Sequence, residues 1–295
     1  MTPAAIPKPR ESGFTQTTSV PLYWVRHGTK GLPPVLLLHG GPGADHDYLL
    51  PQMLAVGGGR REVITYDQRG GGRSRTDDRA PITWKTQVDD LTRVIHELGI
   101  EPLDIVGYSW GGLLAMLYAI EAAAGRASPP PHRLVLVDPA PVTRVYRDQF
   151  ESEFNRRQMG DRIRGMRTQL AESGMRERDP EGYKQRAFEL SVAGYFSDPD
   201  KSENLTPFRV VGRVQQSIWE SLGDFDLTAP GQLDSVRVPT LVIHGREDPI
   251  PLASSEAAAK ALRARLVILE HSGHVPYVEQ PDQLFAAINT FLAEP

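Results

Sequence analysis

The chain has 295 residues, and its 33 Lys and Arg against 37 Asp and Glu leave a formal net charge of −4, which excludes nucleic-acid binding driven by a basic surplus. It contains no Cys, which excludes disulfides, thiolate zinc sites and a cysteine nucleophile. With 40% hydrophobic residues the composition is that of a globular protein, long enough at roughly 150 residues per domain for two domains or one α/β core with a large insertion.

Residues 1–13 are polar and contain Pro, without the apolar core of a secretory signal. The longest apolar run, Leu113 to Ile120, falls far short of the roughly 20 residues of a membrane span, so a cytoplasmic location without membrane association is expected. Two short strands are predicted at Phe14–Ser19 and Leu22–His27. Val35–Leu38, between Pro and Gly, reads as a strand buried on both faces, as parallel sheets contain. Val63–Tyr66 is the next strand. Trp84, Val88, Leu91, Ile95 and Leu98 then form one helical stripe, with Thr83 as its cap and Gly99 at its end. Leu103–Val106 is a strand, Leu113–Ala124 a helix and Leu134–Val137 a strand. Alternation of this kind implies right-handed crossovers and a mostly parallel sheet flanked by helices.

The alternation breaks between Pro141 and Val236. Helix starts are expected at Asp179-Pro180-Glu181 and Thr206-Pro207, the second leading into a stripe of Val210, Val214, Ile218 and Leu222. Strands resume at Leu241–His244 and Leu266–Leu269, and a last helix is expected from Pro281 to Leu292. The expected domains are therefore a core of residues 1–140 and 237–295 and an inserted helical cap of residues 141–236. An insertion there lies at the carboxyl ends of the strands, where open α/β sheets bind ligands.

Gly107-Tyr108-Ser109-Trp110-Gly111 follows one predicted strand and precedes a helix. A nucleophilic Ser on such a turn needs small neighbours, and the glycines supply them. A Ser hydroxyl also needs a base and a carboxylate to orient that base. Candidates follow later strands: Asp248, with Glu247 and Asp138 as competitors, and His274, with His271 as competitor. Ser109, Asp248, His274 is the expected chain order, and His274 is preferred because Gly273 frees its loop. His39-Gly40-Gly41-Pro42-Gly43 is a Gly-rich turn able to present a backbone N–H, so Gly41 and Trp110 are the expected oxyanion donors. Asp67 to Ser74 lacks the phosphate-loop pattern and reads as a structural loop, with Asp67 and Arg69 hydrogen-bonded locally.

HGGPG at 39–43, DQRGGGRS at 67–74 and GYSWGG at 107–112 together resemble the prolyl iminopeptidase branch of the α/β-hydrolase superfamily, across nearly the whole chain. The resemblance implies an α/β-hydrolase fold, Ser109 as nucleophile, Asp248 and His274 as its partners, and Gly41 and Trp110 as oxyanion donors. It further implies a small-molecule or short-peptide substrate, with His39, Tyr108, Tyr195, Trp219 and Glu220 assigned to its pocket, and no metal or cofactor. Aminopeptidases of this branch hold the substrate amine with carboxylates, often a cap Glu shortly before a Tyr-Phe pair or an acid after the catalytic Asp. Here Ser191–Phe196 offers no acid and Pro249 follows Asp248, which leaves Glu189, Glu220 and Glu151 as substitutes. The expected function is hydrolysis of an amide, peptide or ester through an acyl-serine, by an iminopeptidase-like enzyme or a carboxylesterase. A non-catalytic ligand-binding protein of the same fold is the alternative from another class; its mark is a damaged triad, and this one is whole. Activity is expected to rise near neutral pH as His274 loses its proton.

Overall fold

The computed structural model describes residues 3–77 and 79–294. Eight strands form one sheet: β1 (Glu11–Phe14), β2 (Tyr23–His27), β3 (Pro34–Leu38), β4 (Glu62–Tyr66), β5 (Asp104–Tyr108), β6 (Arg133–Val137), β7 (Thr240–Gly245) and β8 (Arg265–Leu269). Their spatial order is β1-β2-β4-β3-β5-β6-β7-β8. The first two pairings, β1 with β2 and β2 with β4, are antiparallel and all others parallel.

Alternate residues of the central strands serve opposite faces. Leu36, Leu38, Ile105, Leu134 and Leu136 pack with α1 (Trp84–Leu98), α2 (Trp110–Ala123) and α8 (Leu252–Leu262). Val35, Leu37, Val106, Val135 and Val137 pack with α9 (Pro281–Leu292) on the other face. Burial on both sides explains why these strands read as unbroken apolar runs. Thr83 caps α1 with a reciprocal Thr86 bond, and Gly99 ends it at φ 60°.

Between β6 and β7 lie α3 (Arg144–Gln158), α4 (Asp161–Glu172), α5 (Met175–Arg178), α6 (Pro180–Val192) and α7 (Gly212–Leu222). Asp179 caps α6 by accepting from the Gly182 N–H, with Pro180 in the first turn, as expected. The start expected at Thr206-Pro207 is not a helix. Thr206 Oγ1 donates instead to Leu50 O, and the Val211 N–H donates to Gly43 O, so the segment crosses the core as an irregular strap and α7 begins at Gly212. The first strand is likewise displaced, to Glu11–Phe14. Thr15 and Thr18 join side chain to side chain, and Glu97 accepts from the Gln16 and Thr17 N–H groups, which takes Gln16–Ser19 out of the ladder, while the Thr15 N–H still donates to Leu22 O. Among the described residues no helix is long and apolar enough to cross a membrane.

Candidate active site

Ser109 sits between β5 and α2 at φ 53°, ψ −120°, a strained conformation for any residue with a Cβ. The turn tolerates no side chain beside it, since a Cβ on Gly111 would lie 2.2 Å from Leu38 O, and one on Gly107 2.5 Å from Gly111 O. Ser109 is pinned by its N–H to Val137 O (3.0 Å), while its own carbonyl accepts from Gly112, Leu113 and Ala140.

The loops after β7 and β8 bring the other two groups to this hydroxyl. Ser109 Oγ lies 2.9 Å from His274 Nε2, and His274 Nδ1 lies 2.8 Å from Asp248 Oδ2. Asp248 Oδ1 accepts from the Ile250 N–H at 2.7 Å. The imidazole is held on every side: its backbone N–H donates to Tyr195 O, Tyr108 OH donates to its carbonyl, and its ring packs between those two tyrosines. Burial lowers the His274 pKa to about 4, so the ring is neutral at pH 7 and free to accept the serine proton.

The competitors have other duties. His271 is an exposed turn residue at φ 57°. Glu247 accepts from the Ser272 N–H and so ties the two loops together. Gly273 is required, but by close approach rather than freedom, because a Cβ there would meet Tyr195 O at 2.1 Å. Asp138 is buried beside the pair: one oxygen or nitrogen from each of Asp138, Asp248 and His274 falls within 4.8 Å of the others. Its Oδ1 accepts from the Gly245 N–H, and its Oδ2 has no hydrogen-bond partner among the described residues. Burial, then the Asp248 charge, holds Asp138 well above the usual carboxylate range. Burial raises Asp248 as well, and the Ile250 N–H, Asp138 and Arg157 offset this only in part. Of the two, Asp138 keeps the proton.

Gly41 and Trp110 stand beside Ser109, and no hydrogen bond from either backbone N–H is found among the described residues. Gln68, which sequence reasoning passed over inside the DQRGGGRS loop, organises this corner. Its Oε1 accepts from Trp110 Nε1 and its Nε2 donates to His39 O. Asp67 and Arg69 are locally bonded as expected, Asp67 to His46 and the Arg73 N–H, Arg69 to Asp90.

Two chambers open at Ser109 and His274. The first, about 340 Å³, runs among Tyr48, Phe188, Phe208 and Tyr277. The second, about 330 Å³, runs to Arg147, Glu151 and Trp219. Of the predicted pocket residues, Tyr108 lines the first, Trp219 the second and Tyr195 both. His39 does not. Its ring is fully buried, with Nε2 accepting from the Gln68 N–H and Nδ1 donating to Gly40 O, so it braces the turn instead of touching substrate. Glu220 is also misassigned: it is exposed on the outer face of α7, accepting from Gln216. Glu189 is buried against Gln185 and Arg186, and Glu151 alone of the three substitute carboxylates lines a chamber at Ser109. Tyr48, Phe188 and Phe208 carried no motif that marked them in the sequence.

The sequence profile of the alpha/beta hydrolase family matches residues 35–288. The chain is similar to the proline iminopeptidase of Clostridium botulinum (strain Hall), 26% identical over 281 residues covering 88% of this chain and 89% of that protein. Its fold is similar to the crystal structure of a proline iminopeptidase from Mycobacterium smegmatis, with a TM-score of 0.68 and 20% identity over 96% of this chain and 97% of that one. It is also similar to the enol-lactonase of Burkholderia xenovorans LB400, with a TM-score of 0.64 and 22% identity over 96% and 100% of the two chains.

Proposed function

Because the chain belongs to the alpha/beta hydrolase family, we propose that it is a serine hydrolase that cleaves amides or esters through an acyl-Ser109 intermediate. The observation that carries this reading is the hydrogen-bonded chain from Ser109 through His274 to Asp248, at 2.9 and 2.8 Å. His274 Nε2 takes the proton as Ser109 Oγ attacks the carbonyl carbon, and Asp248 accepts from Nδ1–H and stabilises the imidazolium. The N–H groups of Gly41 and Trp110, which have no partner among the described residues, receive the oxygen that becomes negative. His274 then protonates the leaving group, and a water activated by the same ring releases the acid. Residues 141–236 act as a cap over the core of 1–140 and 237–295, closing the chambers over Ser109.

Within this class, an iminopeptidase-like activity on small peptides or amides is supported by the likeness to proline iminopeptidases along most of the chain. A carboxylesterase activity is favoured by one observation: among the described residues no carboxylate lines the aromatic chamber, and a free ammonium buried there would lack a counter-charge. Assays on prolyl-naphthylamide beside p-nitrophenyl butyrate separate the two. Anilide turnover abolished by Ser109→Ala supports the peptidase, and ester turnover alone supports the esterase. A fluorophosphonate probe tests the shared mechanism: it should label the parent and not Ser109→Ala, whereas an unlabelled parent would favour a ligand-binding protein.

A further inference from the structure

Gly41, Ser109, Phe154, Tyr195, Gln215 and His274 line both chambers and so form their junction. A substrate whose carbonyl carbon meets Ser109 Oγ at this junction extends its two arms into unlike surroundings. One is aromatic. The other holds Arg147, the one Lys or Arg among the described residues lining either chamber.

The placement of Arg147 is unusual for a side chain whose one hydrogen-bond partner among the described residues is a surface carboxylate. Its guanidinium lies 3.5 Å from the centroid of the Trp219 ring, and its side chain is only 13% exposed. Among the described residues it makes one hydrogen bond, from Nη2 to Glu151 Oε1, although a guanidinium carries five N–H donors in a planar fork. Stacking on the indole occupies the face of that fork and leaves its edge to bind. Glu151 is 46% exposed, so its charge is largely screened by water, and the desolvated end of the pair, inside the chamber, is the positive one. An under-bonded, dry guanidinium of this kind matches a planar anion two N–H groups wide, which is a carboxylate.

The two arms also differ chemically. An acyl group must stay in a dry chamber until water attacks it, whereas the leaving group departs first and is solvated as it goes. The aromatic chamber suits the former, and the chamber that ends at half-exposed Glu151 suits the latter.

Resting on the acyl-Ser109 reading, we propose that Arg147 is a specificity-determining residue that docks a carboxylate on the leaving group of the substrate. The substrate class is then a short ester or amide that joins an apolar, uncharged acyl group to an acid-bearing alcohol or amine, such as an N-acyl amino acid. Hydrolysis itself proceeds as above. Arg147 forms no covalent bond, and its contribution is a charge-assisted hydrogen bond to the arm that leaves.

The test compares the butyryl esters of 4-hydroxybenzoate and 4-hydroxybenzamide, which differ in leaving-group charge and little in shape. The parent should favour the benzoate in kcat/KM by roughly tenfold to a hundredfold, the worth of a charge-assisted hydrogen bond, mainly through a lower KM. Arg147→Met should erase this ratio, Arg147→Lys should keep part of it, and Glu151→Gln, which frees the guanidinium of its counter-ion, should increase it. A merely structural Arg147 would lower both esters by one factor and leave the ratio standing, and that result overturns the proposal, as does a parent ratio near one. Failure of the acyl-serine reading looks different, because hydrolysis of both esters would then survive Ser109→Ala.

Discussion

Asp138 and Asp248 bring carboxyl oxygens within 4.8 Å of each other beside His274, in a region closed to solvent. Two carboxylates this close in a dry site do not both ionise. Asp248 is stabilised as an anion by the Ile250 N–H and by His274. The other neighbour of Asp138, His244, is 3.7 Å away but kept neutral by burial, with a pKa lowered to about 4. Asp138 therefore holds its proton. Its folded pKa lies above the unfolded one, so the native state binds the extra proton and loses stability as pH rises past the usual carboxylate range. Asp138→Asn supplies a permanently neutral group that still accepts from the Gly245 N–H. Urea midpoints should show this variant more stable than the parent at pH 8, with the advantage shrinking toward pH 4. A variant less stable by the same margin at both pH values would mean that Asp138 is ionised in the fold.

The same burial sets the pH dependence of catalysis. The base must be neutral to act, and burial places the His274 pKa at about 4, against an ordinary imidazole value of 6.5. The rise near neutrality that the sequence suggests is thus displaced toward acid. With a substrate that does not itself titrate, such as p-nitrophenyl butyrate, kcat/KM should be flat from pH 8 to about 6 and fall only below that. An acid limb centred at 6.5 or above would mean that water reaches the imidazole in the working enzyme.

How far the sequence foretold this arrangement varies with the kind of contact. Strand, turn and helix around Ser109 are legible because strain and close approach at an elbow demand Gly at fixed offsets, and β5 and α2 are themselves strongly patterned. Asp248 and His274 are legible as loop residues after strands, in the order that the sheet topology imposes. The strap that carries Phe208 was not. Thr206-Pro207 has the local chemistry of a helix start, but a tertiary bond to Leu50 O and the Val211 bond to Gly43 O outweigh a local propensity worth only fractions of a kcal/mol per residue, of order 0.5. His39 and Glu220 failed for a related reason: a motif or a helix names the residue, but only packing decides whether it faces inward to a backbone, outward to solvent, or into a cavity.

The elbow makes a sharp prediction about stability. In Gly111→Ala the added methyl would stand 2.2 Å from Leu38 O and 2.7 Å from His39 O, both backbone atoms of β3 or the turn after it, which no rotamer change can move aside. Overpacking of this type costs about 1–3 kcal/mol or more. Chemical denaturation should register that loss, together with slower fluorophosphonate labelling, because relief of the clash has to shift α2 and with it Ser109. A variant of parental stability and parental labelling rate would show that the close approach is not maintained in solution.

Phe208 offers the most direct control over the acyl group. Its ring packs 4.5 Å from Tyr48 and 5.4 Å from Phe188 between centroids, in the wall of the aromatic chamber that Ser109 also lines, and the side chain is only partly buried. Phe208→Ala should therefore cost less stability than the roughly 3–5 kcal/mol typical of a core Phe→Ala change, while lengthening the chamber. Each further methylene that the enlarged space removes from water is worth about 0.8 kcal/mol, or about fourfold in kcat/KM. Across p-nitrophenyl esters from acetate to decanoate, the optimum of Phe208→Ala should move to longer chains, and kcat/KM for the shortest should fall because they no longer fill the space. An unchanged chain-length optimum in a stably folded variant would assign the acyl group to the chamber at Arg147, which would also reverse the placement of the two substrate arms inferred from the junction.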